Sequence, residues 1–251
     1  RTELDGSVST LIAAHRGGAI LWPENRPTAF RKAAALPVDQ VEFDVHLSAD
    51  GEVVVIHDPT LDRTTDASGP VSARTLAELR RIRLKGTGGE VVPTLEEVAA
   101  IFAPTAIGLR MELKTGPADA RYPHLLQKAS AVLEQAGMLG RTTVTSFRLS
   151  LAAGAARDAR LGGRAIWLVA RQVVQDAGMD GVLAAARSAG ISRIGLHALN
   201  CDVASVAAAD QAGIIPGAWA VNDEDTMARV LALGVAVFTT DDPVTALRLR
   251  G

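Results

Sequence analysis

Along most of the chain, short apolar, β-branched runs alternate with longer Ala- and Leu-rich runs of helical period. The short runs read as strands: "TLIAAHRG" (10–17), "QVEFDVHLS" (40–48), "AIGLRMELK" (106–114), "TTVTSF" (142–147), "RAIWLVA" (164–170), "ISRIGLHA" (191–198), "IIPGAWAVN" (214–222) and "VAVFTT" (235–240). The longer runs read as helices, such as "PTAFRKAAAL", "TLEEVAAIFA", "YPHLLQKASAVLEQAG", "LSLAAGAARDAR", "MDGVLAAARSAG", "VASVAAADQAG" and "DEDTMARVLALG", many of them stopping at Gly. Strand followed by helix with short links implies parallel strands joined by right-handed crossovers. Eight such units in 251 residues match the size of a (β/α)8 barrel. An open doubly wound sheet competes with it, but "HRGGAILWPEN" after the first strand is not the G-x-G-x-x-G of that architecture. The expected fold is therefore an α/β (β/α)8 TIM barrel, with residues 1–251 as one domain.

One interval breaks the rhythm. Residues 52–93 hold an extra strand, "EVVVIHD", and then a turn-rich segment. This predicts a small insertion after the second barrel strand, over about residues 59–93, with a short helix around 75–83. Its basic run, Arg74, Arg80, Arg81, Arg83 and Lys85, reads as a solvated face opposite Leu76, Leu79 and Ile82, with an anion-attracting rim as the alternative.

The polar positions inside two of the strands are the informative ones. In "VEFDVHL", Glu42, Asp44 and His46 share one face while Val41, Phe43, Val45 and Leu47 share the other. In "GLRMELK", Arg110, Glu112 and Lys114 share a face in the same way. Barrel strands are covered by helices outside and filled by side chains inside, so these charged faces are expected to turn towards the lumen. Buried carboxylates need compensation. Residues i and i+2 lie about 6.6 Å apart along a strand, close enough for two carboxylates to share one cation. Internal pairing, Glu112 with Lys114 or Glu42 with Arg110, is the plainer alternative. Oxygen-only ligands suit a hard cation, Mg²⁺ or Ca²⁺. His46 is a candidate further ligand, or a residue at the rim or behind a ligand carboxylate.

Composition narrows the function classes. A net charge of -2 gives no electrostatic reason to expect nucleic acid as a partner. A hydrophobic fraction of 48% supports a large core, and aromatic residues at 4% leave it to Ala, Val, Leu and Ile. No apolar run reaches the roughly 18 residues of a membrane span. The single cysteine, Cys201, allows no disulfide within the chain and reads as a packing residue. That cysteine usage and the opening "RTELDGSVST", which has no signal-peptide pattern, make a cytoplasmic location the expectation.

His15 and His57 each close an apolar strand just before a Gly or Asp-Pro turn, where barrel active sites are built. Two imidazoles beside a carboxylate cluster can serve as general base and general acid in one displacement. Arg16 and Lys114 add positive charge where a phosphate could sit. Together with a metal, these groups point to phosphodiester chemistry. A hydrogen-bonded structural role is the expectation for His197.

These residues resemble the glycerophosphodiester phosphodiesterase family. "HRGG" followed by "PEN" (23–25) and "AF" (29–30) is similar to its opening motif. "VEFDVHLSADGEVVVIHDPTLDRTT" resembles its second block, and "VPTLEEV" (92–98) and "MELK" (111–114) the next two. "SF" (146–147), "WAVN" (219–222) and "TTDDP" (239–243) match weaker motifs. The resemblance spans nearly the whole chain. It implies a metal-dependent (β/α)8 enzyme that hydrolyses glycerophosphodiesters to glycerol 3-phosphate and an alcohol. It further implies that Glu42, Asp44 and Glu112 bind the metal, that His15 and His57 are the acid–base pair, and that Arg16 and Lys114 hold the phosphate. Glu24 and Asn25 would support the site, and Trp219 would wall the pocket near the glycerol. There are two departures: Arg26-Pro27 stands where many members read Thr directly after Asn, and Ser48 where Thr is common. The first falls at the entrance beside His15. Alternatives in the same chemistry are a sugar-phosphodiester hydrolase and a cyclising phospholipase of the sphingomyelinase D kind; the latter usually carries disulfides. The non-enzyme alternative is a barrel that binds phosphate esters, yet this sequence keeps every group that cleavage needs.

Overall fold

The computed structural model describes residues 3–4, 7–86 and 88–251. Two short strands, β1 (Glu3–Leu4) and β2 (Ser7–Val8), pair with each other antiparallel. The main strands are β3 (Leu11–Ala14), β4 (Gln40–Leu47), β5 (Val53–Val55), β6 (Gly108–Leu113), β7 (Thr142–Ser146), β8 (Ala165–Val169), β9 (Arg193–His197), β10 (Ile215–Trp219) and β11 (Val237–Thr240). They form one nine-stranded sheet. All but β5 run parallel, and β11 pairs with β3, which pairs with β4, so eight strands close into a barrel. The fold is the (β/α)8 barrel, and each of the eight expected strands is present.

The helices are α1 (Pro27–Ala34), α2 (Leu76–Leu79), α3 (Leu95–Phe102), α4 (Leu125–Gln135), α5 (Leu149–Ala156), α6 (Arg171–Ser188), α7 (Val203–Gln211), α8 (Glu224–Ala232) and α9 (Pro243–Arg250). Apart from α2, they bury their apolar stripes against the outer face of the barrel. Phe43, which β4 turns outward, meets Phe30 of α1 edge-on at 6.1 Å, and Phe30 meets Phe102 of α3 the same way. Inside, Ala13, Ile166, Leu168 and Val237 fill the lumen with Leu11 and Trp219 packed on them. Among the described residues, no helix is long and apolar enough to cross a membrane.

β5 lies antiparallel on the upper half of β4, Val54 opposite His46. The segment after it has a small apolar cluster of its own: Val54, Ile56, Leu61, Val71, Leu79, Leu84 and Val92. Its helix α2 is shorter than expected. A Thr75–Glu78 capping box starts it, and the chain leaves the helix at Arg80. Arg80 pairs with Glu97 of α3, and Lys85 donates to the carbonyls of Asp62 and Arg63, so two members of the basic run bind within the protein.

Candidate active site

The charged face of β4 does turn inward. Glu42, Asp44 and His46 are all buried, as are Arg110 and Glu112 on β6. The parallel register sets Glu42 beside Arg110 and Asp44 beside Glu112, with Thr145 of β7 next to Glu112. One carboxylate oxygen from each of Glu42, Asp44 and Glu112 lies within 4.8 Å of the others. Both internal pairings weighed from the sequence can be judged. Lys114 does pair with Glu112 at 2.9 Å and stands 3.4 Å from Asp44. By contrast, among the described residues Arg110 has no carboxylate within 4.0 Å, and its two Nη atoms are buried without a hydrogen-bond partner.

The electrostatics fit a cation. Burial, with the negative Asp44 and Glu112 close by, pushes the Glu42 carboxyl up to about 7. Burial would also raise Asp44, but Lys114, His57 and Arg16 outweigh it and hold Asp44 low. Asp44 Oδ1 is buried and accepts no hydrogen bond among the described residues, with Lys114 Nζ 3.4 Å away. Crowded carboxylates with a buried oxygen that accepts no hydrogen bond suit a hard divalent ion, so these three residues could hold a metal.

The "HRGG" turn shapes the wall beside them. Arg16, Gly17 and Gly18 all have positive φ, 50°, 86° and 103°. A Cβ at Gly17 would lie 3.1 Å from Ala29 Cβ, so the turn needs glycine for space as well as for φ. The turn brings Arg16 N–H to Glu42 at 3.0 Å and Arg16 Nε to 3.5 Å from Asp44. Asn25, at φ 51°, donates from Nδ2 to Asp44 at 2.8 Å. Ala220, beside the cavity on the far side, also has positive φ. Left-handed non-glycine residues gathered around one cavity are a form of strain met at functional sites.

Both predicted histidines line that cavity, which holds about 230 Å³. His15 Nδ1 is 2.5 Å from Asp241 and His57 Nδ1 is 2.6 Å from Asp58. A carboxylate only accepts, so each Nδ1 carries the proton and each Nε2 is left as the basic nitrogen. Asp241 is itself held by Asn222, which donates to it at 2.7 Å and accepts its backbone N–H at 2.9 Å. Burial opposes protonation of His15, but Glu42 and Asp241 outweigh it and raise its pKa. Arg63 bridges Asp58 to Glu24, and Glu24 accepts from Arg16 at 3.0 Å. Through that bridge Arg63, followed by His57, lowers Asp58 to about 2.

His46 does not join the metal cluster. Its Nε2–H donates to the His57 carbonyl at 3.0 Å, and its Nδ1 accepts from the Tyr122 hydroxyl at 2.9 Å. Burial lowers its pKa to about 4, so it is neutral and able to accept on one side while donating on the other. Trp219 forms a cavity wall, edge-on to Phe147 at 5.0 Å and to His197 at 4.5 Å. His197 accepts the Leu199 N–H and supports that indole, the bland role expected for it. Glu24, Asn25 and Lys114 contact residues that line the cavity without lining it themselves. Arg26 does not line the cavity; it donates to the carbonyls of Glu24 and Lys85. Ser48 binds Asp50 and the Glu52 N–H, closing the Asp-Gly turn. Sequence reasoning assigned no role to Asp58, Arg63, Asn222 and Asp241. For Asp58 its place next to His57 was the available signal.

Carboxylates that could hold a cation, two imidazoles each fixed by a carboxylate and an arginine thus gather about one cavity of a (β/α)8 barrel. The model of the glycerophosphoryl diester phosphodiesterase family matches residues 15–245, and the chain belongs to that family. It is accordingly an enzyme of the phosphoric diester hydrolase class. A glycerophosphodiester phosphodiesterase of Caldanaerobacter subterraneus subsp. tengcongensis is 31% identical over 250 residues, covering 96% of this chain and 98% of its own. A crystal structure from Agrobacterium tumefaciens, described as a candidate glycerophosphoryl diester phosphodiesterase, is 36% identical with a TM-score of 0.90, covering 96% of this chain and 97% of that one. A phosphodiesterase of Oleispira antarctica, solved with its product sn-glycerol-3-phosphate, is 25% identical with a TM-score of 0.78 over 96% of each chain.

Proposed function

We propose that this protein hydrolyses glycerophosphodiesters to glycerol 3-phosphate and an alcohol, with His15 and His57 as the acid–base pair and with a divalent cation, Mg²⁺ or Ca²⁺, held by Glu42, Asp44 and Glu112. The observation that carries the reading is the pair of cavity-lining histidines, each fixed by a carboxylate on Nδ1, beside the three-carboxylate cluster. The bound cation would neutralise charge on the phosphoryl group as a Lewis acid. Arg16 and Lys114 bind the phosphate oxygens and orient the ester. One histidine takes a proton at Nε2 from the attacking hydroxyl, either the 2-hydroxyl of the glycerol arm or water, as the new O–P bond forms. The other, protonated on both nitrogens as an imidazolium, gives its Nε2 proton to the leaving oxygen as the old P–O bond breaks. Attack by the 2-hydroxyl gives a cyclic phosphate, which water opens in a second step with the proton transfers reversed.

The test is hydrolysis of glycerophosphocholine and glycerophosphoglycerol, followed by glycerol 3-phosphate detection. Purified protein is chelated, then supplied with Mg²⁺ or Ca²⁺. Release that stops on chelation and returns with the metal is the expected result. Folded protein silent with both metals and both substrates overturns the reading.

A further inference from the structure

Apart from Arg16 Nε, which faces Asp44 at 3.5 Å, three buried groups on the cavity have no hydrogen-bond partner among the described residues: the Nη atoms of Arg110, the Thr145 hydroxyl and the Trp219 indole nitrogen. All three can donate. Buried polar groups are nearly always paired, and a buried guanidinium is costly without an acceptor. Arg110 precedes Glu112 by two residues on β6, so it stands level with Glu42 and one step deeper than Asp44 and Glu112. It is 1% exposed. Leu168 and Phe147 give the same cavity an apolar wall. Donors facing hydrocarbon across a small cavity suit a short polyol: carbons on the wall, oxygens towards the donors.

We propose that Arg110 selects the buried arm of the substrate, its guanidinium taking the terminal hydroxyl of a glycerol arm with Thr145 and Trp219 beside it. This rests on the function proposed above and adds a residue role to it. The 2-hydroxyl is left free to act as nucleophile. The variable alcohol then lies towards the open mouth, where none of these three donors can read it. An arm lacking the terminal hydroxyl leaves the Arg110 donors buried and unpaired, which is how a polar site rejects a smaller analogue.

The test is calorimetric binding of two monophosphates to the Mg²⁺-supplied protein: sn-glycerol 3-phosphate and propane-1,2-diol 1-phosphate, which lacks only the terminal hydroxyl. Wild type is expected to prefer glycerol 3-phosphate by roughly 10- to 100-fold. Arg110→Met should erase that preference, and Thr145→Val should reduce it partway. Circular dichroism checks that each variant is folded; if Arg110→Met is not, Arg110→Lys, which loses the planar fork, and Thr145→Val decide. A wild type that binds both phosphates equally, or variants that keep the preference, overturn the inference alone. A wild type that binds neither phosphate overturns the proposed function and this inference with it.

Discussion

His15 and His57 each have one nitrogen committed to a carboxylate, and the other nitrogen does the proposed chemistry. Removing an imidazole removes a proton relay without opening the core, because both residues are half-buried at strand ends. His15→Ala and His57→Ala should each lower kcat by about 10²- to 10⁴-fold with an unchanged circular dichroism spectrum. Wild-type-like turnover in both would remove the pair from the mechanism. Asp241→Ala should lower kcat less, because it frees the His15 tautomer but leaves the ring in place. The acids of β4 and β6 were legible in the sequence because strand alternation puts them on one charged face, and His15 and His57 because each closes an apolar strand before a Gly or Asp-Pro turn. Asp241 and Asn222 stood within the motifs "TTDDP" and "WAVN" but carried no assigned role. They reach His15 only because the barrel closes, and no local pattern encodes a contact across 226 positions.

At the scale of elements, β4 carries site residues along its whole length, with His46 as its upper joint. It ties the β5 turn, through the His57 carbonyl, to Tyr122 in the segment before α4. His46→Phe keeps the ring volume and loses both bonds. The expected outcome is a kcat about tenfold lower with metal affinity unchanged, since His46 touches none of the three carboxylates. His46→Gln, which can donate and accept, should recover most of the loss, and Tyr122→Phe should show a smaller one. Equal kcat in His46→Phe and wild type would show that the joint does not hold His57. Strands were the elements read most fully, since their buried runs are short and β-branched. The α9 helix was harder. "VTALRLR" alternates apolar and polar like a strand, and the helix rests instead on Asp242, which caps Thr245 N–H, and on Pro243 at its first turn. In α6, Gly178 at φ 66° breaks the helical run, which hid its first half.

For the molecule as a whole, the segment following β5 has its own apolar cluster but depends on the barrel for anchorage. Arg26, buried at the start of α1, donates to the Lys85 carbonyl, and Glu90 accepts from the N–H and hydroxyl of Thr28. The departure at Arg26 therefore acts on attachment. Arg26→Met should cost about 1–3 kcal/mol through the unpaired carbonyls it leaves. It should also make residues 60–90 more susceptible to limited proteolysis than the rest of the barrel. Cleavage at the wild-type rate with an unshifted melting temperature would refute that role.

Closure by β11 against β3 carries a consequence for biosynthesis. A growing polypeptide that has emerged as far as β10 already holds His57, Asp58 and all three acids. It lacks the strand that completes the ring and the carboxylate that orients His15. A chain truncated after β10, before β11 and Asp241, is therefore expected to leave the ring open and to release no glycerol 3-phosphate in the hydrolysis assay.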